Sequence, residues 1–314
     1  MNIIFLGSAE FAVPSLRALL AAGYPVSCVV TQPDKKSGRH LHLQGTPVKA
    51  IAEENGLKIY QPDNINSPEA ARFIKSLNPE LLVVIAYGQI LSQAVLDTPK
   101  IFTVNVHGSL LPKYRGAAPI NWALINGEKI IGVSVMRVIR KMDAGPVILQ
   151  RKLDISEQGS VITVESRLAD LGALSLLESI KLIEDNNYKL NAQDDAQVTF
   201  APKLRKADGL IKWDKPAKDI YNLIRGCLVW PGAFTYYKGK LLKIYKATVT
   251  TSPRHHVATS PGELIQVSKE GIIVATGKDD LNIQELQIEG KKIMGVEEFV
   301  AGHKVLAGEI LGKK

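Results

Sequence analysis

Asn105 and His107 stand two residues apart at the end of an apolar run that includes Ile101, Val104 and Val106. Side chains alternate along a strand, so the amide and the imidazole project from one face while Val104 and Val106 anchor the other. Open α/β sheets hold their ligands beyond the carboxyl ends of the strands. Here the chain turns into a loop punctuated by glycine and proline, His107-Gly-Ser-Leu-Leu-Pro-Lys-Tyr-Arg-Gly116. A third polar group, Asp143, follows the strand-like run 132–136 in the hexapeptide Lys-Met-Asp-Ala-Gly-Pro. A lone histidine at a strand end is usually a satisfied structural residue, and asparagine beside a turn is commonly turn chemistry. A carboxylate brought to the imidazole changes that reading, because it orients the ring and favours its charged form.

The elements that must position these groups alternate. Residues 2–6, 26–31, 57–60, 80–86 and 101–107 read as strands, and 131–138 and 146–152 continue the series. Helical spacing runs over 10–22, 46–55, 67–77, 117–126 and 159–185. Several strands are continuously apolar, which predicts an α/β class with a mostly parallel, Rossmann-like sheet covered on both faces. The first βα turn reads Gly7-Ser-Ala-Glu-Phe-Ala12, with one glycine and an acidic residue where an anion would sit. That disfavours a dinucleotide fold of the Gly-x-Gly-x-x-Gly kind, and no Walker A, Gly-x-Ser-x-Gly or His-Glu-x-x-His pattern is present.

A polar stretch from Asn186 predicts a linker over 189–206, separating a domain over 1–188 from one over 207–314. Beyond it a helix over 217–227 precedes five short strands, 233–237, 241–249, 262–267, 271–275 and 281–288, which suits a small OB-like barrel. The charge is unevenly divided. Residues 1–200 hold 20 Lys and Arg against 19 Asp and Glu, whereas 201–314 hold 19 against 12, so the second part carries +7 of the net +8. A basic module on a near-neutral one suggests a polyanionic partner. The two cysteines, Cys28 and Cys227, are too far apart in sequence to suggest a disulfide framework or a zinc site. The opening residues lack a basic leader region and no run reaches membrane-span length, so a cytoplasmic protein is expected.

The central motif is Asn105-x-His107-Gly-Ser-Leu-Leu-Pro-x-Tyr-Arg115-Gly-Ala-Ala-Pro119 with Asp143-x-Gly145. Together with Ile-Ile-Phe-Leu-Gly-Ser8, Val-Thr-Gln-Pro-Asp34, Val-Val-Ile-Ala-Tyr-Gly88, Ile-Arg225-Gly and Trp230-Pro231, it resembles the folate-dependent formyltransferases over nearly the whole chain. The resemblance implies transfer of a formyl group from 10-formyltetrahydrofolate to an amine, with no metal. It implies that Asn105 donates toward the developing oxyanion, that His107 supplies a second donor, and that Asp143 holds His107 and manages the proton. The folate is implied to lie against Ser109, Leu110, Leu111 and Pro112 and a wall made of Ala86, Tyr87, Gly88 and Ile90.

Two features favour initiator methionyl-tRNA as acceptor: the basic second domain, and the 34–46 loop that relatives insert into the acceptor stem. The expected RNA contacts are Lys35, Lys36 and Arg39 in the loop, then Lys203, Arg205, Lys206, Arg225, Lys240 and Lys243. His40, Leu41 and His42 depart from the basic residues of relatives at the loop tip. A nucleotide-linked amino sugar is the alternative acceptor, and a catalytically silent RNA-binding protein the alternative class. A monomer without an obligate protein partner is expected.

Overall fold

The computed structural model describes residues 1–37, 42–251 and 259–312. The chain divides into two units, the first comprising Met1–Pro119, Ile130–Asp154 and Glu165–Pro202, the second Ile120–Lys129, Ile155–Val164 and Lys203–Lys314.

The first unit is built on seven strands: β1 (Ile3–Gly7), β2 (Val26–Val30), β5 (Ile59–Tyr60), β6 (Leu81–Ile85), β7 (Phe102–His107), β8 (Ile130–Arg137) and β9 (Val147–Asp154). Their order is β5-β2-β1-β6-β7-β8-β9. The pairings from β5 to β7 are parallel, and β8 and β9 are added antiparallel. All five residues of β1 are buried, which accounts for its lack of apolar–polar alternation, whereas β7 alternates Phe-Thr-Val-Asn-Val-His although five of its six residues are buried. Ile4, Leu6, Cys28, Val30, Ile74, Leu82 and Tyr87 share one core cluster. Burial pushes the Cys28 thiol up to about 11, in keeping with an inert core cysteine.

Short-range chemistry sets the helix starts. Thr46 and Ser67 lie outside α2 (Pro47–Glu54) and α3 (Pro68–Ser76) as N-caps, accepting from the amides of Lys49 and Ala70, and each is followed by proline at the first helical position. The helix expected over 10–22 is a 3₁₀ turn at Glu10–Ala12 followed by α1 (Val13–Ala21). Pro14 lacks an amide hydrogen and is tolerated only in the first turn of an α-helix, so α1 begins beside it. The stretch beyond Asp34 that reads as loop starts and ends in a small hairpin of β3 (Lys35–Ser37) and β4 (His42–Gln44). A four-residue helix, α4 (Gln93–Leu96), carries no sequence period long enough to detect. The helix expected over 159–185 is α6 (Val161–Glu184), of which residues from Glu165 onward belong to the first unit.

The expected linker over 189–206 is a difference of substance. Through Pro202 it belongs to the first unit, where Asn191 exchanges backbone hydrogen bonds with Val147 and Phe200 bridges to Arg115. Its polar composition comes from side chains that serve the loops beneath it.

The second unit contains α5 (Pro119–Ile125) from residue 120 onward, α7 (Ala217–Gly226), α8 (Val296–Gly302) and an antiparallel sheet. The strands are β10 (Ala233–Tyr237), β11 (Lys240–Thr250), β12 (Leu264–Ser268), β13 (Gly271–Ala275), β14 (Asp280–Ile288) and the two-residue β15 (Met294–Gly295). Their order is β10-β11-β14-β13-β12, with β15 on β14. The five expected strands are all present. Among the described residues β10 and β12 do not pair directly, and residues 308–312 run between them, hydrogen-bonding through the backbone to Gly262 and Leu264 on the β12 side and to the Tyr236 carbonyl of β10, so the unit is an antiparallel β domain. Ile220, Ile224, Leu242, Ile244, Ile272, Leu281, Leu286 and Phe299 fill its core.

Candidate active site

Register places the two strand residues at the functional end of the sheet. Asn105 lies opposite Val84 on one side and Met136 on the other, and His107 lies opposite Ser134. Strand β8 runs the other way, so Arg137 ends it beside Val104, and Val138 donates its amide to the Thr103 carbonyl at 2.8 Å. Three residues of strand span about 10 Å. The connection from Val138 to Pro146 must therefore travel back toward the end of β7 to deliver its carboxylate. It does so: Asp143 Oδ2 lies 3.8 Å from His107 Nδ1, with both side chains largely withdrawn from solvent.

The loop is bent by Asp143 itself, whose φ of +50° lies in the left-handed region that aspartate tolerates better than most residues. Gly145 allows the return. A Cβ there would sit 1.8 Å from the Arg137 carbonyl oxygen, so no other residue fits without movement. The Asp143 carboxylate is fixed by the Gly116 amide, which donates to Oδ2 at 2.8 Å.

His107 Nε2 lies 2.9 Å from the Tyr114 carbonyl oxygen. A carbonyl only accepts, so Nε2 carries a proton and the neutral ring exposes a lone pair at Nδ1, facing Asp143. At 3.8 Å the Nδ1 and Oδ2 atoms are beyond direct hydrogen bonding and too close for a bridging water. Asn105 is half-buried, and among the described residues no hydrogen bond engages its side-chain amide. Its donor is available to a ligand.

The loop after β7 is stiffened from within. Ser109 is fully buried and its hydroxyl donates to the Lys113 carbonyl at 2.6 Å. Ser134 Oγ donates to the Ser109 carbonyl and accepts from the Leu111 amide, while Gln150 Nε2 donates to Ser134 Oγ and to the Leu111 carbonyl. Ser109 is thus a structural residue of the loop, and the backbone of Leu111 is occupied by protein. The loop offers a ligand the partly exposed Leu110 and Pro112, while Leu111 packs with Met136 and Val147.

The other expected folate wall leaves from β6, parallel to and beside β7. Ala86 and Gly88 are exposed with φ of +45° and +97°, and Ile90 is 64% exposed, an unusual setting for an isoleucine. Tyr87 differs from expectation. Its ring belongs to the core cluster, its hydroxyl has no partner among the described residues, and burial pushes it up to about 12. It supports the wall from behind, and its carbonyl accepts from Ser8 Oγ at 3.0 Å.

The expected RNA contacts fall into three groups. Lys203, Arg205, Lys206 and Lys240 are exposed and Lys243 half-exposed in the second unit, and no ion pair engages any of them among the described residues. Lys35 is exposed on β3, the Lys36 backbone pairs with Leu43, and Arg39, His40 and Leu41 lie outside the described residues. Arg225 is a correction: it is buried. Its Nε donates to Asn222 Oδ1 and its Nη1 to the Gly159 carbonyl, both at 3.0 Å, with the guanidinium 5.7 Å from the Tyr221 ring. Burial pulls its pKa down, so it is a structural cation of the second unit. Helix periodicity held the signal, because Ile220, Ile224 and Arg225 share the buried stripe of α7.

Nothing in the residue pattern flags the segment over the site. Tyr114 donates its amide to Thr199 Oγ1, Arg115 donates its amide to the Thr199 carbonyl and accepts from the Ala201 amide, and Gln193 bonds the Asp143 loop. Among the described residues no group of three or more His, Cys, Asp and Glu is arranged to hold a metal, and no helix is long and apolar enough to cross a membrane.

Residues 1–180 match the family described as formyl transferase and residues 203–304 its C-terminal domain. The methionyl-tRNA formyltransferase of Acetivibrio thermocellus is 46% identical over 313 residues, covering 100% of both chains, and that of Caldanaerobacter subterraneus is 45% identical over 99% of this chain and 100% of its own. Among solved structures, an N-formyltransferase from Helicobacter canadensis in complex with folinic acid and dTDP-3-aminofucose superposes with a TM-score of 0.69 at 18% identity, covering 90% of this chain and 98% of that one. HypX from Aquifex aeolicus in complex with tetrahydrofolic acid gives 0.64 at 18% identity, over 96% of this chain and 47% of its own. These two share the fold. With both domains matched and full-length relatives well above 40% identity, the chain belongs to the formyl transferase family, alongside the methionyl-tRNA formyltransferases.

Proposed function

We propose that the protein transfers the formyl group of 10-formyltetrahydrofolate to the amino group of initiator methionyl-tRNA, with Asn105, His107 and Asp143 as the reacting constellation. The observation that carries this reading is the 3.8 Å approach of Asp143 to His107 Nδ1 beside an unengaged Asn105 amide. The neutral amine attacks the formyl carbon and the carbonyl oxygen becomes an oxyanion; the amine nitrogen then gives up a proton, and N10 of the folate takes one up as the oxyanion collapses to the new amide and the bond from N10 to the formyl carbon breaks. The Asn105 amide stabilises the oxyanion, a contribution on the order of 10²- to 10³-fold in rate. His107 Nδ1 is the only imidazole nitrogen free to exchange a proton, because Nε2 is tied to the Tyr114 carbonyl. The Asp143 carboxylate stabilises the imidazolium that results, and such acid–base assistance is worth about 10²- to 10⁴-fold.

The residues fit a folate. Ile90, Gly88, Leu110 and Pro112 give an exposed, largely apolar lining at the ends of two adjacent parallel strands, suited to a flat ring system. Lys203, Arg205, Lys206, Lys240 and Lys243 serve the RNA backbone by charge, and the protein acts as a cytoplasmic monomer. Removing any one of these cations should reduce the slope of log affinity against log salt by about one.

The test supplies labelled 10-formyltetrahydrofolate with charged initiator methionyl-tRNA, charged elongator methionyl-tRNA and a UDP-linked amino sugar. Label is expected on the initiator tRNA. Label on the sugar alone would overturn the acceptor assignment, and no label on any of them would overturn the reaction.

A further inference from the structure

Segment 191–201, polar enough to read as a linker, is fastened to both loops that hold the reacting side chains. Thr199 accepts the Tyr114 amide through its hydroxyl at 2.9 Å and the Arg115 amide through its carbonyl at 2.9 Å, and Asn191 pairs with Val147. Between these attachments lies Gln193. Its Nε2 donates to the Asp143 carbonyl at 2.8 Å and the Gly145 carbonyl at 2.7 Å. Its Oε1 accepts from Arg115 Nε at 3.0 Å and Nη2 at 2.8 Å. A glutamine amide has two N–H donors and two oxygen lone pairs, and all four are used here.

Arg115 is only 3% exposed, and its further contact, with Asp195 at 3.1 Å, involves a carboxylate that is mostly in solvent. Gln193, half-buried and bonded twice, is therefore the more sheltered acceptor of that guanidinium. The next residue, Gly116, donates its amide to the Asp143 carboxylate. Residues 115 and 116 thus hold Asp143 twice, once at the carboxylate directly and once at the backbone through Gln193. An aspartate at φ +50° on a loop that has doubled back needs such a tie to keep one orientation.

We propose that Gln193 is a positioning residue for formyl transfer, clamping the carbonyls of Asp143 and Gly145 so that the Asp143 carboxylate meets His107 Nδ1. The proposal rests on the reading of Asp143 as the group that works with His107. Glutamate at position 193 separates the clamp from mere docking of the segment: it keeps the acceptor for Arg115 but turns an oxygen, in place of two donors, toward the carbonyls.

The experiment measures single-turnover formyl transfer from 10-formyltetrahydrofolate to methionyl-tRNA by the full chain carrying Gln193→Glu or Gln193→Ala, in the native background and in Asp143→Ala, with KM for both substrates and the melting temperature. A misplacement of about 1 Å costs up to the order of 10²-fold, so kcat is expected to fall about ten- to a hundredfold with KM unchanged. In the Asp143→Ala background the same changes are expected to cost nothing further, as for residues that act as a unit. Equal losses in both backgrounds, an effect confined to KM, or failure of Gln193→Glu to fold would overturn the proposal. Wild-type kcat in Asp143→Ala alone would instead remove the reading beneath it, and the proposal with it.

Discussion

Replacing Gly145 with alanine adds one methyl group two residues beyond the carboxylate. The ideal Cβ lies 1.8 Å from the Arg137 carbonyl oxygen and 3.0 Å from its carbon, both backbone atoms, and reaching the 3.0 Å below which such contacts essentially do not occur requires about 1.2 Å of movement. Arg137 cannot yield. It pairs with Val104 in the sheet, and its own amide donates to the Pro146 carbonyl at 3.0 Å. The loop moves instead, which stretches the 2.7 Å bond from Gln193 to the Gly145 carbonyl past hydrogen-bond range and shifts Asp143 from His107. A displacement of that size should lower kcat on the order of 10²-fold, a loss of about 2.7 kcal/mol of transition-state stabilisation. The overpacking should also cost about 1–3 kcal/mol of stability in the first unit. Single-turnover transfer at saturating donor and methionyl-tRNA, alongside thermal unfolding, separates the two effects. Gly302→Ala, where a Cβ meets nothing within 4 Å, is the control expected to leave kcat unchanged. A folded Gly145→Ala protein with native kcat would refute the claim that loop position sets the rate.

Two further outcomes follow from burial. Arg225→Met should destabilise the second unit by on the order of 3 kcal/mol through loss of two charged-donor hydrogen bonds, measured by denaturant unfolding. It should leave the salt slope of tRNA binding unaltered, whereas Lys240→Ala and Lys243→Ala should each lower it. The Glu165 carboxyl is held above the usual carboxylate range by burial and then by the nearby Glu10 charge. A raised folded-state value means the stability tied to its protonated form is full below the ordinary glutamate value of about 4.3 and is lost as pH rises through the folded value. Glu165→Gln should therefore raise the melting temperature at neutral pH, with the gain vanishing below about pH 4; a constant gain across that range would contradict the assignment.

How much is legible in the sequence depends on whether a residue's role is local. Asn105 and His107 are readable because a strand period of two fixes which side chains share a face, and Thr46-Pro and Ser67-Pro because caps act within one turn. The five strands of the second unit are short runs rich in β-branched and aromatic residues between turn residues, so they too are visible. Asp143 is recognisable as a partner, but its route is not, since nothing in Lys-Met-Asp-Ala-Gly-Pro says that β8 is antiparallel and that the loop must double back. Ser109 and Tyr87, expected to face the folate, face the protein, and Arg225, expected on the surface, is buried. In each case the type of side chain is right for both roles and only packing decides between them. Gln193 carries no signal at all: its partners lie 50 and 78 residues away, and a polar stretch between domains looks the same whether it is solvated or clamps a catalytic loop.

The pairing of Asp143 with His107 is the centre of the proposed chemistry. Asparagine at 143 keeps an oxygen for the Gly116 amide and removes the charge, so the loop keeps its anchor while the imidazolium loses its counterion. The single-turnover rate of formyl transfer to methionyl-tRNA by Asp143→Asn should fall by about 10²- to 10⁴-fold, with KM for both substrates and the melting temperature unchanged. A rate close to that of the native protein would contradict it.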